Sequence, residues 1–147
     1  MLRLKALGIN SSPLLCFAKQ NSGDSLRRNS LIEAKDIALR VAGVAKSKKA
    51  QRVLALDMRK ICTFCDYFVI LSATSLKQVN AFAEAITEDL AKIRIKSLSK
   101  RDSHNDSGWV VLDYSSVIVH IFFKPLREFY SLERLWADAK RMRLPRV

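Results

Sequence analysis

Glycine and cysteine are scarce in this sequence, and their scarcity excludes two kinds of site. Only four glycines occur in 147 residues, and no two of them lie close together. Loops that bind nucleotide phosphates need clustered glycines, because the backbone must approach the phosphates closely. Such a loop is therefore excluded. Three cysteines are too few for a disulfide framework, and their odd number favours a reducing compartment.

Long apolar runs and acidic residues are also in short supply. No apolar run approaches the roughly 18 residues of a membrane span, so we expect neither a membrane-spanning segment nor a membrane partner. Fourteen acidic residues stand against 26 basic ones, which gives a formal net charge of +12. An excess of this size favours association with polyanions such as nucleic acid. Charge alone indicates a class of partner and no site.

The first 29 residues differ in composition from the rest. They carry five basic residues and one acidic residue and mix leucines with serines, which is compatible with an organelle transit peptide. The simpler interpretation is a flexible tail, or a start codon assigned upstream of the real one. We predict a flexible N-terminal extension at residues 1–29 and one domain at residues 30–147. The expected location is the bacterial cytoplasm, or an organelle matrix if residues 1–29 are a transit peptide.

Apolar periodicity predicts the order of helices and strands. Ser30 and Glu33 stand in capping-box spacing ahead of a helix at about 31–45. Two apolar runs, 53–56 and 67–72, predict buried strands, and the second lacks polar alternation, as expected of a central strand. The remaining predicted elements are a helix at 76–92 capped by Ser75 and Gln78, a short edge strand within 95–107, an antiparallel hairpin of 109–112 and 117–123, and a helix between Pro125 and Pro145 with Phe129, Tyr130 and Trp136 on or near its packed face.

Each predicted element has one strongly apolar side, so helices packed on a sheet are the economical architecture. The predicted fold class is α/β, with a mixed β-sheet of four to five strands flanked by three helices.

Five sequence blocks follow one another between residues 31 and 140, and together they are far more specific than any single motif. The blocks are Leu54–Arg59, Asp66–Ile70 with Thr74 and Ser75, Gly108–Tyr114, Val117–Phe122 and Arg127–Trp136. In this order and spacing they resemble the ribosomal silencing factor, or Iojap, family.

The resemblance implies a nucleotidyltransferase-like fold without known transferase activity. It also implies binding to the universal L-fourteen protein on the joining face of the large ribosomal subunit, with no enzymatic activity, cofactor or metal. The sequence departs from the family's pattern at two places. Ala73 stands where the family usually has glycine, and residues 100–105 replace a Glu-Gly pair, which puts the contacts of that loop in doubt.

Catalytic and metal-binding residues are poorly represented. Asp57, Asp66 and Asp113 each flank a predicted strand, but none forms the Asp-x-Asp pair that would hold divalent cations between phosphates. Cys62 and Cys65 form a Cys-x-x-Cys motif, yet Cys65 leads directly into a strand, whereas a thioredoxin-like pair opens a helix. We interpret both thiols as small buried or half-buried residues, with structural zinc and redox sensing as alternatives.

Aromatic and polar residues of the last two blocks are the candidates for partner binding. Trp109 opens a strand at the outer end of the hairpin, where a partly exposed ring can anchor an interface. His120 lies mid-strand and is more consistent with a structural role than with a base, although the resembled family keeps a histidine there. Arg127, Glu133 and Asp113 can be polar rim groups or internal ion pairs. The candidate partner-binding residues are Trp109, Asp113, Tyr114, His120, Arg127, Tyr130 and Glu133.

Two basic clusters lie at predicted helix C-termini, where cations complement the helix dipole. On a ribosomal particle they would add salt-sensitive attraction to RNA phosphates. The clusters are Lys46, Lys48, Lys49 and Arg52, and Lys140, Arg141, Arg143 and Arg146.

Three functional hypotheses follow from these observations. The first is a stoichiometric binder of the large ribosomal subunit that prevents the small subunit from joining, and the order of the blocks favours it. The second is a general basic RNA-binding protein, and the third is a remote nucleotidyltransferase using Asp57 or Asp66. The sequence leaves a homodimer open.

Overall fold

The computed structural model describes residues 32–99 and 106–146. The predicted extension at 1–29, the cap at Ser30 and the divergent loop at 100–105 lie outside these residues. Within them, no helix is long and apolar enough to cross a bilayer.

The described residues form one mixed sheet with helices on both faces, which confirms the predicted α/β class. The sheet order is β3-β4-β2-β1-β5. Its nucleotidyltransferase-like character remains a prediction. The elements in chain order are α1 (Ala34–Ser47), β1 (Gln51–Asp57), β2 (Tyr67–Ala73), α2 (Leu76–Lys92), β3 (Trp109–Asp113), β4 (Val117–Phe123), α3 (Lys124–Tyr130), α4 (Leu132–Leu135) and β5 (Lys140–Arg141).

Strand β2 lies at the centre of the sheet, as its continuous apolar run predicts. It pairs with β1 in antiparallel and with β4 in parallel orientation, and all seven of its residues are buried. Because side chains alternate along a strand, Val69 and Leu71 face the core under α1 and α2. Phe68 and Ile70 face a second core, on the side of α4. The second core carries the candidate site.

Helix α2 confirms its predicted cap and bounds. Ser75 Oγ accepts a hydrogen bond from the amide of Gln78 at 3.2 Å, as a helix N-cap should. In a capping box the Gln78 side chain would accept from the amide of Ser75. Here Gln78 Oε1 instead accepts from the amide of Thr74, one residue earlier, at 2.7 Å. Helix α1 is shifted from its prediction and begins at Ala34 after an extended Glu33. The carbonyl of Glu33 accepts from Asp36 and Ile37, and this residue therefore replaces Ser30 as the N-cap.

The single long C-terminal helix predicted from the sequence is wrong. Ser131 adopts a left-handed conformation, with φ 44° and ψ 51°, and separates α3 from α4. Its amide still bonds to the carbonyl of Arg127, and its hydroxyl donates to the carbonyl of Glu128 at 2.7 Å, so the break satisfies its polar groups locally. Beyond α4 the chain forms β5, which pairs with β1.

The edge strand expected within 95–107 is absent from the described part of that segment. Instead, Ser97 and Ser99 lie along β3 and bond to it through their hydroxyls, while the amide of Leu98 between them donates to the carbonyl of Asp113 at 2.7 Å. Ser97 Oγ donates to the carbonyl of Asp113 at 3.3 Å, and Ser99 Oγ donates to the carbonyl of Val111 at 3.3 Å. The fifth strand of the sheet is therefore β5, for which the sequence carries no strand pattern.

Candidate partner-binding site

A cluster of aromatic rings covers the start of β3 and the neighbouring part of β4. Trp109 lies opposite Phe122 in the antiparallel register, and their rings stack at 5.0 Å between centroids. Tyr130, brought in by α3, lies 5.1 Å from Trp109. The hairpin and the helix together therefore hold the half-buried Trp109 from two sides.

His120 packs against this cluster from inside the protein and is not a solvent-accessible base. The ring is 3% exposed and packs edge-on against Phe68 at 4.9 Å. Its Nδ1 accepts a long hydrogen bond of 3.4 Å from Trp109 Nε1, so in the neutral ring Nε2 carries the proton. Nε2 has no hydrogen-bond partner among the described residues. Burial lowers the pKa of His120 to about 3, which keeps the ring neutral.

Phe129 extends the cluster into solvent, contrary to its predicted place on a packed face. Its side chain is 79% exposed, and its ring meets Tyr130 edge-on at 5.1 Å. The physical reason is the burial of Arg127, which turns the packed face of α3 towards Leu126, Arg127 and Tyr130. A helix turns by 100° per residue, so Phe129 points about 110° away from the centre of that face. We call Trp109, Tyr130 and Phe129 the aromatic strip.

Arg127 ties three elements together beneath α3. Its guanidinium is 3% exposed, and Nη1 donates to Ser72 Oγ at 2.9 Å and to the carbonyl of Arg52. The pairing of β1 with β2 shifts register between Gln51 and Leu54, and the guanidinium supplies a donor where the ladder is interrupted. Arg127 Nε also meets Glu133 Oε1 at 3.4 Å. Burial lowers the pKa of Arg127, while Glu133 acts in the opposite direction.

Asp113 and Tyr114 lie away from the aromatic strip. Asp113 lies four positions after Trp109 along β3, a distance of about 13 Å. Both Asp113 and Tyr114 are buried, and Tyr114 packs in the core under α1 and α2. Asp113 Oδ1 accepts from the amide of Ser115 at 2.8 Å, at a residue with φ 67°, so it shapes the hairpin turn. Burial raises the pKa of Asp113.

A groove rich in arginine lies next to α3 and α4. Its volume is about 480 Å³, and Arg127 forms part of its wall. The structure brings Arg52 and Arg141 together here from the two predicted basic clusters and adds Arg134, which belongs to neither cluster. Lys46 is occupied elsewhere, since its Nζ donates to the carbonyl of Pro145 at 2.7 Å. We call Arg52, Arg134 and Arg141 the arginine groove.

The carboxylates named for a nucleotidyltransferase do not form a metal site in the described chain. Asp57 forms an ion pair with Arg59 at 2.6 Å, and the hydrogen bond from Arg59 lowers the pKa of Asp57. In residues 32–99 and 106–146, no three His, Cys, Asp or Glu side chains cluster as metal ligands. Asp57 is therefore engaged in a local turn, where Arg59 also donates its amide.

Comparison with known proteins agrees with this architecture. The profile of the family described as "Ribosomal silencing factor during starvation" matches residues 31–147. The ribosomal silencing factor RsfS of Bacillus subtilis is 38% identical over 105 residues, which cover 71% of this chain and 88% of the relative. The chloroplastic protein Iojap of Zea mays is 30% identical over 113 residues, 77% of this chain and 49% of the relative.

Two solved structures share the fold. A protein of Chromobacterium violaceum superposes with a TM-score of 0.68 at 21% identity, covering 79% of this chain and 95% of the other. A protein of Bacillus halodurans gives a TM-score of 0.60 at 31% identity, covering 74% of this chain and 94% of the other. From the profile match and the identity to the Bacillus subtilis relative, this chain belongs to the ribosomal silencing factor family.

Proposed function

We propose that this protein binds the large ribosomal subunit through the universal L-fourteen protein and thereby blocks joining of the small subunit. Blocking requires only that the bound domain occupy volume that the other subunit must enter, so the protein acts by binding and performs no chemistry. Repression of translation and protection of a maturing subunit would use the same contact. Family membership and one structural observation, the exposed ring of Phe129, support the proposal.

The aromatic strip is the surface best suited to this contact. An isolated exposed phenylalanine is unremarkable, but Phe129 continues a row of rings through Tyr130 to Trp109. Aromatic anchors on a rigid support dominate many protein interfaces. Here the support consists of Phe122 and His120, which pack against Trp109 from β4. Little ordering of the Trp109 side chain would therefore remain to oppose binding.

The other candidate residues take supporting parts in this proposal. Arg127 positions α3, and with it both rings of the aromatic strip that the helix carries. Glu133 meets Arg127 from α4. Asp113 and Tyr114 are buried at the far end of β3, so they maintain the hairpin and do not touch the partner.

The arginine groove favours an added contact with ribosomal RNA. Glu128 and Ser131 line the groove and flank Phe129 and Tyr130 in sequence, so the groove adjoins the aromatic strip. Phosphates bound there would release counterions and make affinity fall with added salt. The second candidate function is general RNA binding, in which the affinity for RNA would depend on the arginine groove alone.

Cosedimentation with purified large subunits separates these functions, with small subunits added in a parallel series. The wild-type protein should saturate near one copy per large subunit and reduce the amount of joined ribosomes. Phe129→Ala should weaken binding about 30-fold, the equivalent of about 2 kcal/mol for an interface hot spot. Leu98→Ala is the matched control, because Leu98 is 52% exposed and lies beside Asp113, at the far end of β3.

Unchanged binding of Phe129→Ala, in a variant that folds normally, would contradict the proposed surface. Binding of comparable strength to deproteinised RNA, lost at high salt, would favour the general RNA-binding function. An Arg134→Ala variant distinguishes the two sources of affinity, since it should reduce the salt dependence of binding and leave the one-to-one stoichiometry intact.

A further inference from the structure

The loop between β1 and β2 brings two thiols into contact. Cys62 Sγ and Cys65 Sγ lie 3.4 Å apart, and Cys62 Sγ is also 3.4 Å from the carbonyl oxygen of Cys65. A disulfide bond is about 2.05 Å long, so the sulfur atoms need to approach each other by about 1.4 Å. The Cys-x-x-Cys spacing therefore places the two sulfur atoms next to each other, where a disulfide bond can form.

The two thiols differ in their access to solvent. Cys62 is half-buried, whereas Cys65 is fully buried and belongs to the second core together with Phe64 and Phe68. A reagent in solution can therefore reach Cys62 first. Cys65 lies behind it, placed to attack the sulfur of Cys62 once that sulfur carries a leaving group.

The loop that carries the two thiols is held at its ends and by backbone hydrogen bonds within it. Residues 58–66 belong to no helix or strand, and their ends are fixed by a hydrogen bond from the amide of Met58 to the carbonyl of Asp66 at 2.8 Å. Within these ends, the amide of Cys62 bonds to the carbonyl of Met58 at 2.9 Å. Formation of the bond from a separation of 3.4 Å then requires side-chain rotation and a small shift of the loop between these fixed ends.

We propose that Cys62 and Cys65 form a reversible dithiol–disulfide couple that reacts with small-molecule disulfides such as glutathione disulfide. The Cys62 thiolate attacks one sulfur of the small disulfide, forming a mixed disulfide and releasing one thiol. The Cys65 thiolate then attacks Cys62 Sγ, which forms the internal disulfide and releases the second thiol. Two electrons pass from the protein to the small disulfide, and the two protein thiol protons end on the released thiols.

The couple is a more specific assignment than a metal site. Zinc in a structural site takes about four ligands, and within the described residues these thiols are not part of any group of three potential ligands.

The couple also lies beneath the candidate site. Phe64 contacts Phe68 at 6.1 Å between ring centroids, and Phe68 contacts His120 at 4.9 Å. Oxidation would thus alter the core that supports the aromatic strip.

The test uses the full chain with Cys16→Ser, so that only the two thiols of the loop remain. The protein is equilibrated in mixtures of reduced and oxidised glutathione, its free thiols are alkylated, and its intact mass is measured. We expect both thiols to disappear together with the loss of two hydrogen atoms and no retained glutathione. Dithiothreitol should reverse the change, and the midpoint should be independent of protein concentration.

Two single variants test the assigned order of attack. Cys65→Ala, which keeps the buried position apolar, should stop at a mixed disulfide of Cys62 with glutathione. Cys62→Ser should react at least tenfold more slowly, because the remaining thiol is buried. Retention of both thiols in excess glutathione disulfide would overturn the proposal, as would glutathione accumulating on Cys62 while Cys65 stays free. Circular dichroism establishes that each variant is folded.

Discussion

The indole of Trp109 donates its hydrogen to Nδ1 of His120 across the β3–β4 hairpin, at 3.4 Å. Each residue constrains the other. The buried histidine holds the indole against the sheet, and the indole selects the tautomer that carries its proton on Nε2. Protonation of Nδ1 would remove the acceptor, so this arrangement requires a neutral ring.

The first prediction concerns the pH dependence of stability at His120. Its pKa is about 3 in the folded protein and about 6.5 in an unfolded chain. Below about pH 6.5 the unfolded state binds the extra proton, so stability is lost as pH falls towards 3, by at most about 1.4 kcal/mol per pH unit. Urea denaturation of wild type and His120→Gln should show a stability difference that shrinks between pH 7 and pH 4. A constant difference would mean that His120 titrates normally when folded.

The second prediction concerns the buried guanidinium of Arg127. Arg127→Ala leaves Ser72 Oγ, the carbonyl of Arg52 and the carboxylate of Glu133 without this donor, which should cost about 3 kcal/mol of unfolding free energy. Arg127→Lys should recover only part of the loss, because an ammonium lacks the planar fork. Arg134→Ala, an exposed arginine of the same groove, should change stability by less than about 0.5 kcal/mol. Equal effects at the two arginines in chemical denaturation would contradict this account.

The third prediction compares two glycines. Gly108 has φ +76°, and a Cβ built there would lie 2.8 Å from Leu126 Cδ1 and 3.2 Å from Phe123 Cβ. Gly108→Ala should therefore destabilise the fold by about 2 kcal/mol, through strain and forced repacking. Gly43 lies inside α1 with open space around it. Gly43→Ala should raise stability by about 0.5–1 kcal/mol, and thermal unfolding would reveal shifts of opposite sign.

The fourth prediction concerns the cap of α2. Ser75→Ala removes the acceptor for the amide of Gln78 and should cost about 1 kcal/mol. Ser75→Asp retains an acceptor and places a negative charge at the positive end of the helix dipole, so it should recover most of the loss. Denaturation midpoints of the two variants test this order. An Asp variant as unstable as the Ala variant would show that the cap contributes little.

Local patterns were sufficient to predict the central part of this fold. The apolar run of β2, the Ser75 cap of α2 and the turn of the β3–β4 hairpin each depend on neighbouring residues, and the structure contains all three. The break at Ser131 and the strand β5 were missed, because both depend on tertiary packing. Lys140 and Arg141 carry no strand pattern and are placed by the free edge of β1.

The site was predictable to a similar extent. The hairpin brings Trp109 and His120 together, and α3 adds Tyr130, so three of the candidates meet in the structure. No sequence pattern predicts the exposure of Phe129, because the burial of Arg127 depends on its tertiary contacts with Arg52, Ser72 and Glu133. Once the buried face of α3 is formed by Leu126, Arg127 and Tyr130, helical geometry alone turns Phe129 outward.

The two edges of the sheet limit how copies of the protein can associate. On one side β5 has only two residues, both exposed cations, and on the other the hydroxyls of Ser97 and Ser99 occupy carbonyls of β3. Long, flat, unoccupied strand edges invite copies of a protein to stack by strand addition, and neither described edge is of that kind. Copies of the protein should thus resist joining into continuous fibrils by strand addition.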